Sequence, residues 1–304
     1  MDTFGSLAVV AIASYIGITV FAQSVLKSIT ADLPIAKSVS LQFLFAAILG
    51  VLIGLAANIE FEKTHPGVLI SLAVNIQFEK THLIVFAAGF VNAWGAYCQW
   101  QAYKSSLSKT SILSPLSGVI TAALAAILLG EAVLYRNPWS LVGIVLLFSS
   151  TFFLIGKGEG VHLKFLLAMV TIFGVVTFTM KYFANSDIPL PTFLSLWYPG
   201  AFFGSLIPLW INRREPGKLL QSRSWKIPLA SMGIIASLAS TYWAFQEAPA
   251  NVVLPITSFG VILPTMLVGL WYFKEKQTIN RKEKVGFLLG FLGLAALVAA
   301  RQLT

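Results

Sequence analysis

The chain has 304 residues, of which 57% are hydrophobic and 11% charged, and its mean hydropathy is +0.81. A soluble domain carries about 25% charged residues and could not bury this much apolar surface, so the composition indicates a membrane protein. The net charge of +9 lies between hydrophobic runs, which favours loops that face the cytoplasm and anionic lipid and argues against nucleic acid as a partner. With a single cysteine, Cys98, neither a disulfide framework nor a cysteine-based metal cluster can form.

Charged and turn residues divide the chain into ten apolar runs, each close to the roughly 20 residues of a spanning helix. The predicted spans are Phe4–Leu26, Pro34–Ala57, Leu83–Tyr103, Ser111–Gly130, Pro138–Gly156, Phe165–Phe183, Pro191–Ile211, Ile227–Gln246, Val252–Phe273 and Val285–Ala300. The first run has no basic segment before it and is long enough to cross, so we expect a span there and not a cleavable signal. Most links are short and predict antiparallel neighbours; the two long links are Asn58–His82 and Asn212–Lys226.

A tandem duplication follows the second predicted span. Gly50–His65 and Gly67–His82 agree at 13 of 16 positions, at an offset of 17 residues. The second copy offers about nine apolar residues after Pro66, which is too few to cross a bilayer. The charged residues before it would be costly in hydrocarbon. We therefore expect the duplicate to lie at the membrane surface between helices two and three, where it leaves the number of crossings unchanged.

Each copy ends in Glu-x-x-His, which raises the alternative of a metal site. A di-iron bundle combines two such motifs on facing helices with two further carboxylates. Here the spare carboxylate is Glu60, and Gln77 stands at the equivalent position of the second copy. Duplication of a link would place both motifs there without any role for a metal. We therefore predict no metal at Glu62, His65, Glu79 and His82, and no cofactor elsewhere.

A second, weaker repeat relates the two halves of the chain. Trp100–Ile120 and Tyr242–Ile262 align at an offset of 142 residues, and each ends in Gly-Val-Ile. Each segment leads to an acid just after a helix, Glu131 or Glu275, and then to one more helix. Because each half has an odd number of helices, the second half must lie upside down relative to the first. The predicted fold is an all-α membrane protein of two inverted five-helix repeats, 1–157 and 158–304, with the duplication at 50–82 in the first.

This pattern resembles the EamA-type, ten-helix members of the drug/metabolite transporter superfamily. The resemblance is carried by Ala102–Gly156 and Ala244–Ala300, each of which has Ala followed by Tyr or Phe, a helix, a Glu and another helix. It implies a secondary transporter of the cell inner membrane that exports or exchanges small metabolites, such as amino acids or related neutral or zwitterionic solutes. Transport would proceed by alternating access at the repeat interface. The chain departs from the family in its duplication and in lacking the basic tail that many members carry after the last helix.

Neutral polar residues are the candidates for binding a solute. No carboxylate lies deep inside a predicted span, and the first span lacks the embedded glutamate that the smallest proton-coupled members of the superfamily use, which argues against recognition of cations by charge. Asn92, Gln99 and Tyr103 share one face of the third helix, and Thr241 and Phe245 are their counterparts on the eighth. The candidate substrate-binding residues are Tyr15, Thr19, Gln23, Asn92, Gln99, Tyr103, Ser114, Thr241, Phe245 and Ser258.

Each candidate also has a structural interpretation. Polar residues inside spans often join helices, and an aromatic residue near a span end often sits at the membrane surface. Ser114 and Ser258 lie near helix-breaking prolines, which free backbone carbonyls for a ligand or a neighbouring helix. Lys181, at the end of the sixth span, is expected to reach the interface as an anchor. Gly50 with Gly54, and Gly286 with Gly290, predict close helix contacts within the chain, so we expect a monomer or a weak homodimer.

Two other classes of protein are alternatives to a transporter. An enzyme needs acid, base or nucleophile groups clustered at one depth. The sequence has no H-E-x-x-H or G-x-S-x-G motif and no paired intramembrane aspartates, and its three histidines fall in predicted loops, so we predict no catalytic residue. A non-transporting membrane protein that handles lipid or glycan has a similar composition and stays an alternative. Without a P-loop, the chain itself would not drive transport with ATP.

Positive charges are distributed unevenly between the two sides of the ten-span arrangement. The links one–two, three–four, five–six, seven–eight and nine–ten hold 16 of the 21 Lys and Arg residues. The positive-inside rule therefore places those links in the cytoplasm and both termini outside it. The family resemblance implies the opposite orientation, with both termini inside. We prefer the charge count because it is a property of this chain.

Overall fold

The computed structural model describes residues 6–30, 33–64, 80–131, 137–154, 160–186, 188–214, 224–275 and 280–302. These residues form eleven α-helices and one π-helical turn, with no strand among them. The first five helices are α1 Ser6–Thr30, α2 Ile35–Thr64, α3 Lys80–Ser105, α4 Leu107–Leu113 and α5 Leu116–Leu128. The others are α6 Pro138–Leu154, α7 Gly160–Ala184, α8 Leu190–Ile211, α9 Lys226–Glu247, α10 Ala250–Leu267 with the π-turn Val268–Tyr272, and α11 Arg281–Gln302.

Eight helical segments of the described chain are long and apolar enough to cross a membrane. They are α1, α2, α3, α4 continued by α5, α7, α8, α9, and α10 continued by the π-turn. The apolar helix α6 is shorter, at 17 residues, and α11 has 22 residues with an acidic and basic first turn. The chain is therefore an all-α, multi-pass membrane protein.

The outside of the bundle is apolar. Ile127, Phe152 and Trp210 are exposed over 78%, 74% and 70% of their surface. In water, a surface of many such side chains would drive association. Lipid chains are as apolar as leucine, so the same surface is well solvated in a bilayer.

Small residues decide which helices approach most closely. A Cβ atom at Gly89 of α3 would collide with the backbone of Trp197, and one at Gly200 of α8 would collide with the backbone of Phe86. These glycines let α3 and α8 pack backbone against backbone. The predicted glycine pairs also make close contacts within the chain: Gly50 and Gly54 face α8, and Gly286 and Gly290 face α6 and α4, mostly against side chains.

Aromatic side chains pack together where α8 and α9 meet. Phe193, Trp197 and Tyr242 are buried, and the ring of Phe193 lies 4.9 Å from that of Trp197 and 4.6 Å from that of Tyr242. The Tyr242 hydroxyl donates to the carbonyl of Ile188 at 2.7 Å, which ties α9 to the segment before α8. This packed cluster fixes α8 and α9 relative to each other.

The described helices extend beyond several predicted spans. Helix α2 continues to Thr64, seven residues past Ala57, although its candidate span, Ile35–Ala57, ends where the predicted span ends. Helix α4 begins at Leu107 instead of Ser111, and α11 begins at Arg281 instead of Val285. Hydropathy marks the part of a helix that lies in hydrocarbon, whereas backbone hydrogen bonding continues into the polar headgroup region.

The second copy of the duplication lies mostly outside the described residues, as do His65 and Glu79 of the two Glu-x-x-His motifs. Glu62 lies in α2, and His82 lies in the first turn of α3, not in a loop. His162, also predicted in a loop, lies near the start of α7. Among the described residues, no three His, Cys, Asp or Glu side chains are grouped so that they could hold a metal ion.

Candidate functional site

A cavity of about 260 Å³ lies inside the helix bundle. Its wall is formed by α1, α2, α3, the α4–α5 junction, α7, α9 and α10, so both halves of the chain contribute. The lining residues include thirteen with hydroxyl or amide side chains, and none of the lining residues is charged. The cavity is thus uncharged, has both polar and apolar surface, and lies between helices from both predicted repeats.

The structure brings eight of the ten candidate residues together in this cavity. They are Tyr15, Thr19, Gln23, Asn92, Gln99, Ser114, Thr241 and Ser258. The other two stand beside it. Tyr103 is buried and its hydroxyl accepts a hydrogen bond from Gln99 Nε2 at 3.0 Å, while Phe245 is buried in the core.

Five polar residues of the cavity wall were not among the candidates: Gln42, Ser117, Thr177, Ser237 and Thr257. Gln42 is an amide in the middle of the second span. Like Asn92 and Gln99, it would be poorly satisfied facing lipid and is therefore expected to point into the bundle. The four hydroxyl residues carry no such signal, since Ser and Thr are common in spanning helices as backbone partners. Gln42 Oε1 accepts a hydrogen bond from Trp100 Nε1 at 3.0 Å, which joins α2 to α3.

A hydroxyl network crosses the cavity from α1 to α9. Thr19 Oγ1 lies 2.6 Å from Ser237 Oγ, and either atom can be the donor. Tyr15, one turn earlier on α1, hydrogen-bonds to Thr19 through its side chain. The Thr19–Ser237 hydrogen bond joins a helix of the first half to a helix of the second. A relative motion of these two helices would therefore change its length.

The α4–α5 junction is a helix break inside a span. Pro115 has no N–H group, so the carbonyl of Ser111 loses its helical donor. The Ser114 hydroxyl donates to that carbonyl at 2.9 Å, and the freed group is therefore satisfied within the chain. The break leaves Ser114, Pro115 and Gly118 on the cavity wall.

An ion pair joins helices at one end of the bundle, next to the start of α4. Lys27 Nζ lies 3.2 Å from Glu275 Oε1 and donates to the carbonyl of Tyr103 at 2.7 Å. The Glu275 carboxylate also accepts hydrogen bonds from the backbone N–H of Leu107 at 2.8 Å and of Ser108 at 2.9 Å. Burial by itself raises the pKa of Glu275. The hydrogen bonds from Ser108 and Leu107 and the charge of Lys27 outweigh it, so the pKa lies below its ordinary value.

A second ion pair has the same construction at the start of α10. Lys181 Nζ lies 3.6 Å from Glu131 Oε1 and donates to the carbonyl of Phe245 at 2.8 Å. The Glu131 carboxylate accepts a hydrogen bond from the backbone N–H of Ala250 at 3.0 Å. Lys181 is only 3% exposed, so the expectation that it anchors the helix at the membrane surface is wrong. A buried ammonium needs partners of this kind, and Glu131 and the carbonyls supply them.

No protein-family model matches the chain, and no curated protein matches it. Solved structures do match: a crystal structure of a protein, described without a function, superimposes with a TM-score of 0.63. The match covers 98% of this chain and 100% of the other, at 17% sequence identity. At that identity the likeness shows a shared fold along the whole chain and carries no information about function.

Proposed function

We propose that the chain is a secondary transporter of small, neutral or zwitterionic organic metabolites, with ten spans in two inverted five-helix repeats. The observation that carries the proposal is the uncharged, polar cavity between helices of both halves. Binding at the interface of inverted repeats near the middle of the membrane is the common arrangement in secondary transporters. The solute would enter and leave as the two halves move relative to each other.

The packing of the helices supports the repeat. Exchanging the halves pairs α1 with α7, α2 with α8, α3 with α9, α4–α5 with α10 and α6 with α11. Under this exchange the contacts α2–α8 and α6–α11 map onto themselves. The contact α1–α9 maps onto α7–α3, α2–α9 onto α8–α3, and α5–α7 onto α10–α1, and the bundle contains every one of these pairs.

The two ion pairs support the same exchange at the level of residues. Lys27 donates to the carbonyl of Tyr103, and Lys181 donates to the carbonyl of Phe245. Tyr103 and Phe245 are the residues that the 142-residue offset aligns. Each lysine lies beside the acid that follows the fourth helix of the other half, Glu275 or Glu131.

Inverted halves would place these two ion pairs at opposite ends of the bundle. Each pair joins the first helix of one half to the fourth helix of the other, so separating one pair would let that end open while the other end stays closed. Such alternate opening of the two ends would be the alternating access that the proposal requires. We also propose, from the sequence resemblance, that the chain is EamA-like and acts in the cell inner membrane as a monomer or weak homodimer.

Reconstituted protein tests the proposal. A substrate that binds the folded state must raise its melting temperature, by an amount that grows with concentration. A panel of neutral, zwitterionic, anionic and cationic solutes would be scored first by thermal stabilisation. Solutes that stabilise would then be tested for exchange across proteoliposomes that contain the protein. Stabilisation without any exchange would contradict transport and favour a binding or accessory role.

A further inference from the structure

We infer that the cavity takes an uncharged, hydroxyl-rich solute and rejects carboxylates and zwitterions. The inference rests on the proposed function and narrows its substrate class. It comes from the hydrogen-bond acceptors on the cavity wall that remain available to a solute after the contacts within the protein are formed.

Charge is the first constraint. A carboxylate or ammonium that leaves water for the membrane interior needs an opposite charge or several hydrogen bonds to offset its lost hydration. None of the described residues that line the cavity is charged. The lysines at the two ends, Lys27 and Lys181, are already engaged with Glu275 and Glu131. An uncharged solute avoids this cost entirely.

The wall hydroxyls are the second constraint. A hydroxyl has one proton and two acceptor lone pairs. Ser114, Ser117, Thr241 and Thr257 each donate that proton to a backbone carbonyl of their own helical segment, at 2.7 to 3.0 Å. All four line the cavity, so they offer a bound solute only lone pairs. A solute must bring donors to meet them.

Gln23 adds an acceptor without a partner. Its Oε1 atom is shielded from solvent and accepts no hydrogen bond from the described residues, although the side chain lines the cavity. A shielded polar atom of this kind costs free energy until a donor reaches it. A donor on a bound solute would remove that cost, which makes Gln23 the residue we expect to contribute most to affinity.

A carboxylate is a poor match for a wall that offers mainly hydrogen-bond acceptors. It only accepts hydrogen bonds, so it could use amide N–H groups such as those of Asn92 but would be repelled by the lone pairs of the four hydroxyls and of Gln23. A hydroxyl both donates and accepts, and it can therefore use these acceptors together with amide N–H groups such as those of Asn92. Apolar lining from Phe43 and Phe173 suits a carbon framework. The volume of about 260 Å³ lies below the ~300–1,000 Å³ of sites for drug-sized ligands, so the solute is small.

Matched compounds of one size test the inference. Xylitol, xylonate, a C5 amino-polyol and glutamine differ in charge while their sizes are similar. We expect xylitol to raise the melting temperature and to exchange across proteoliposomes, and the three charged compounds to do neither at the same concentration. Equal or stronger effects of xylonate or glutamine would overturn the inference and leave the transporter intact. No effect of any class of compound would overturn both.

Variants test the role of Gln23 in the same assay. Gln23→Met keeps the length of the side chain and removes the acceptor, and should weaken xylitol binding by about ten-fold. Gln23→Glu should add binding of the amino-polyol. The matched control is Gln101→Glu on α3, which does not line the cavity and should leave both affinities unchanged. Unchanged xylitol binding in Gln23→Met, with the protein folded, would overturn the inference.

Discussion

At the scale of single residues, two glutamines of α3 allow a controlled test of the cavity. Gln99 Nε2 donates to the Tyr103 hydroxyl at 3.0 Å, and Gln101 Nε2 donates to the Tyr97 hydroxyl at 2.9 Å. Each glutamine thus donates to a tyrosine four residues away on the same helix, but only Gln99 lines the cavity. Their comparison separates a role in binding from a role in packing.

We expect Gln99→Leu to reduce solute exchange about ten-fold, because the cavity loses an amide that a polar solute would use. Gln101→Leu should cost a similar free energy of unfolding, about 1 kcal/mol, with exchange near the wild-type rate. Thermal melts and proteoliposome exchange on the same preparations measure the two effects. Equal exchange in both variants would assign Gln99 to packing.

The contacts of Glu275 should make the stability of the protein depend on pH. Its pKa in the folded protein lies below its ordinary value of 4.5, so folding favours the ionised carboxylate. The corresponding stabilisation is present at pH values above 4.5 and is lost as pH falls through the folded pKa. Glu275→Gln should lower the stability at pH 7 by about 1–3 kcal/mol, because Lys27 loses its counter-charge and the Leu107 and Ser108 N–H groups lose strong acceptors.

Melting temperatures of wild type and Glu275→Gln between pH 3 and pH 7 would measure this dependence. The wild type should lose its advantage over the variant at the acid end, so the two curves should converge. Parallel curves over the whole range would show that Glu275 does not contribute in the way its contacts indicate.

At the scale of helices, the contact between α3 and α8 depends on glycine. Gly200→Ala should destabilise the protein by about 1–3 kcal/mol, because the new Cβ atom would meet the backbone of Phe86 and force the helices apart. Gly17→Ala on α1 is the control, since nothing lies within 4 Å of its Cβ position. That change should be neutral or slightly stabilising, because alanine favours a helix over glycine. Thermal melts in one detergent compare the two, and an equal loss in both variants would contradict the packing argument.

The duplication is also tested at this scale. Deleting Asn58–Val74 removes one 17-residue unit and joins Ala57 directly to the remaining Asn75–His82 copy. After the deletion only Asn75–Glu79 separate Ala57 from the start of α3 at Lys80, so α2 would end near Ala57, where its candidate span ends, and these five residues would form the link. We expect insertion into the membrane and solute exchange to stay near the wild-type level. Loss of insertion, measured by membrane fractionation, would show that the extra unit is structural.

At the scale of the whole molecule, the charge count predicts orientation. Sixteen of the 21 Lys and Arg residues fall in links on one side of the ten-span arrangement, so both termini should lie outside the cytoplasm. A fusion after Thr304 of a reporter that fluoresces only in the cytoplasm should therefore be dark, while a periplasmic phosphatase fused there should be active. A bright fluorescent fusion would reverse the orientation and leave the number of spans unchanged.

Much of the fold follows from sequence because the bilayer imposes a strict rule. Every backbone polar group in hydrocarbon must be bonded within its own segment, so a long apolar run is a helix. This is why each of the eight candidate spans coincides with a predicted one. The same rule led to the neutral residues of the cavity, since polar side chains such as Asn92 and Gln99 are poorly satisfied facing lipid.

Tertiary structure alone decided how the polar residues are used. Lys181 has the sequence position of a surface anchor, yet it is buried because Glu131 and two backbone carbonyls meet its ammonium from other helices. Tyr103 has the helical phase of a wall residue, yet its hydroxyl is engaged by Gln99. Hydropathy and periodicity describe one helix at a time, so they determined that this chain crosses a membrane and which faces turn inward. Which partners meet on those faces depends on side chains far apart in sequence, and only the packed bundle brings them together.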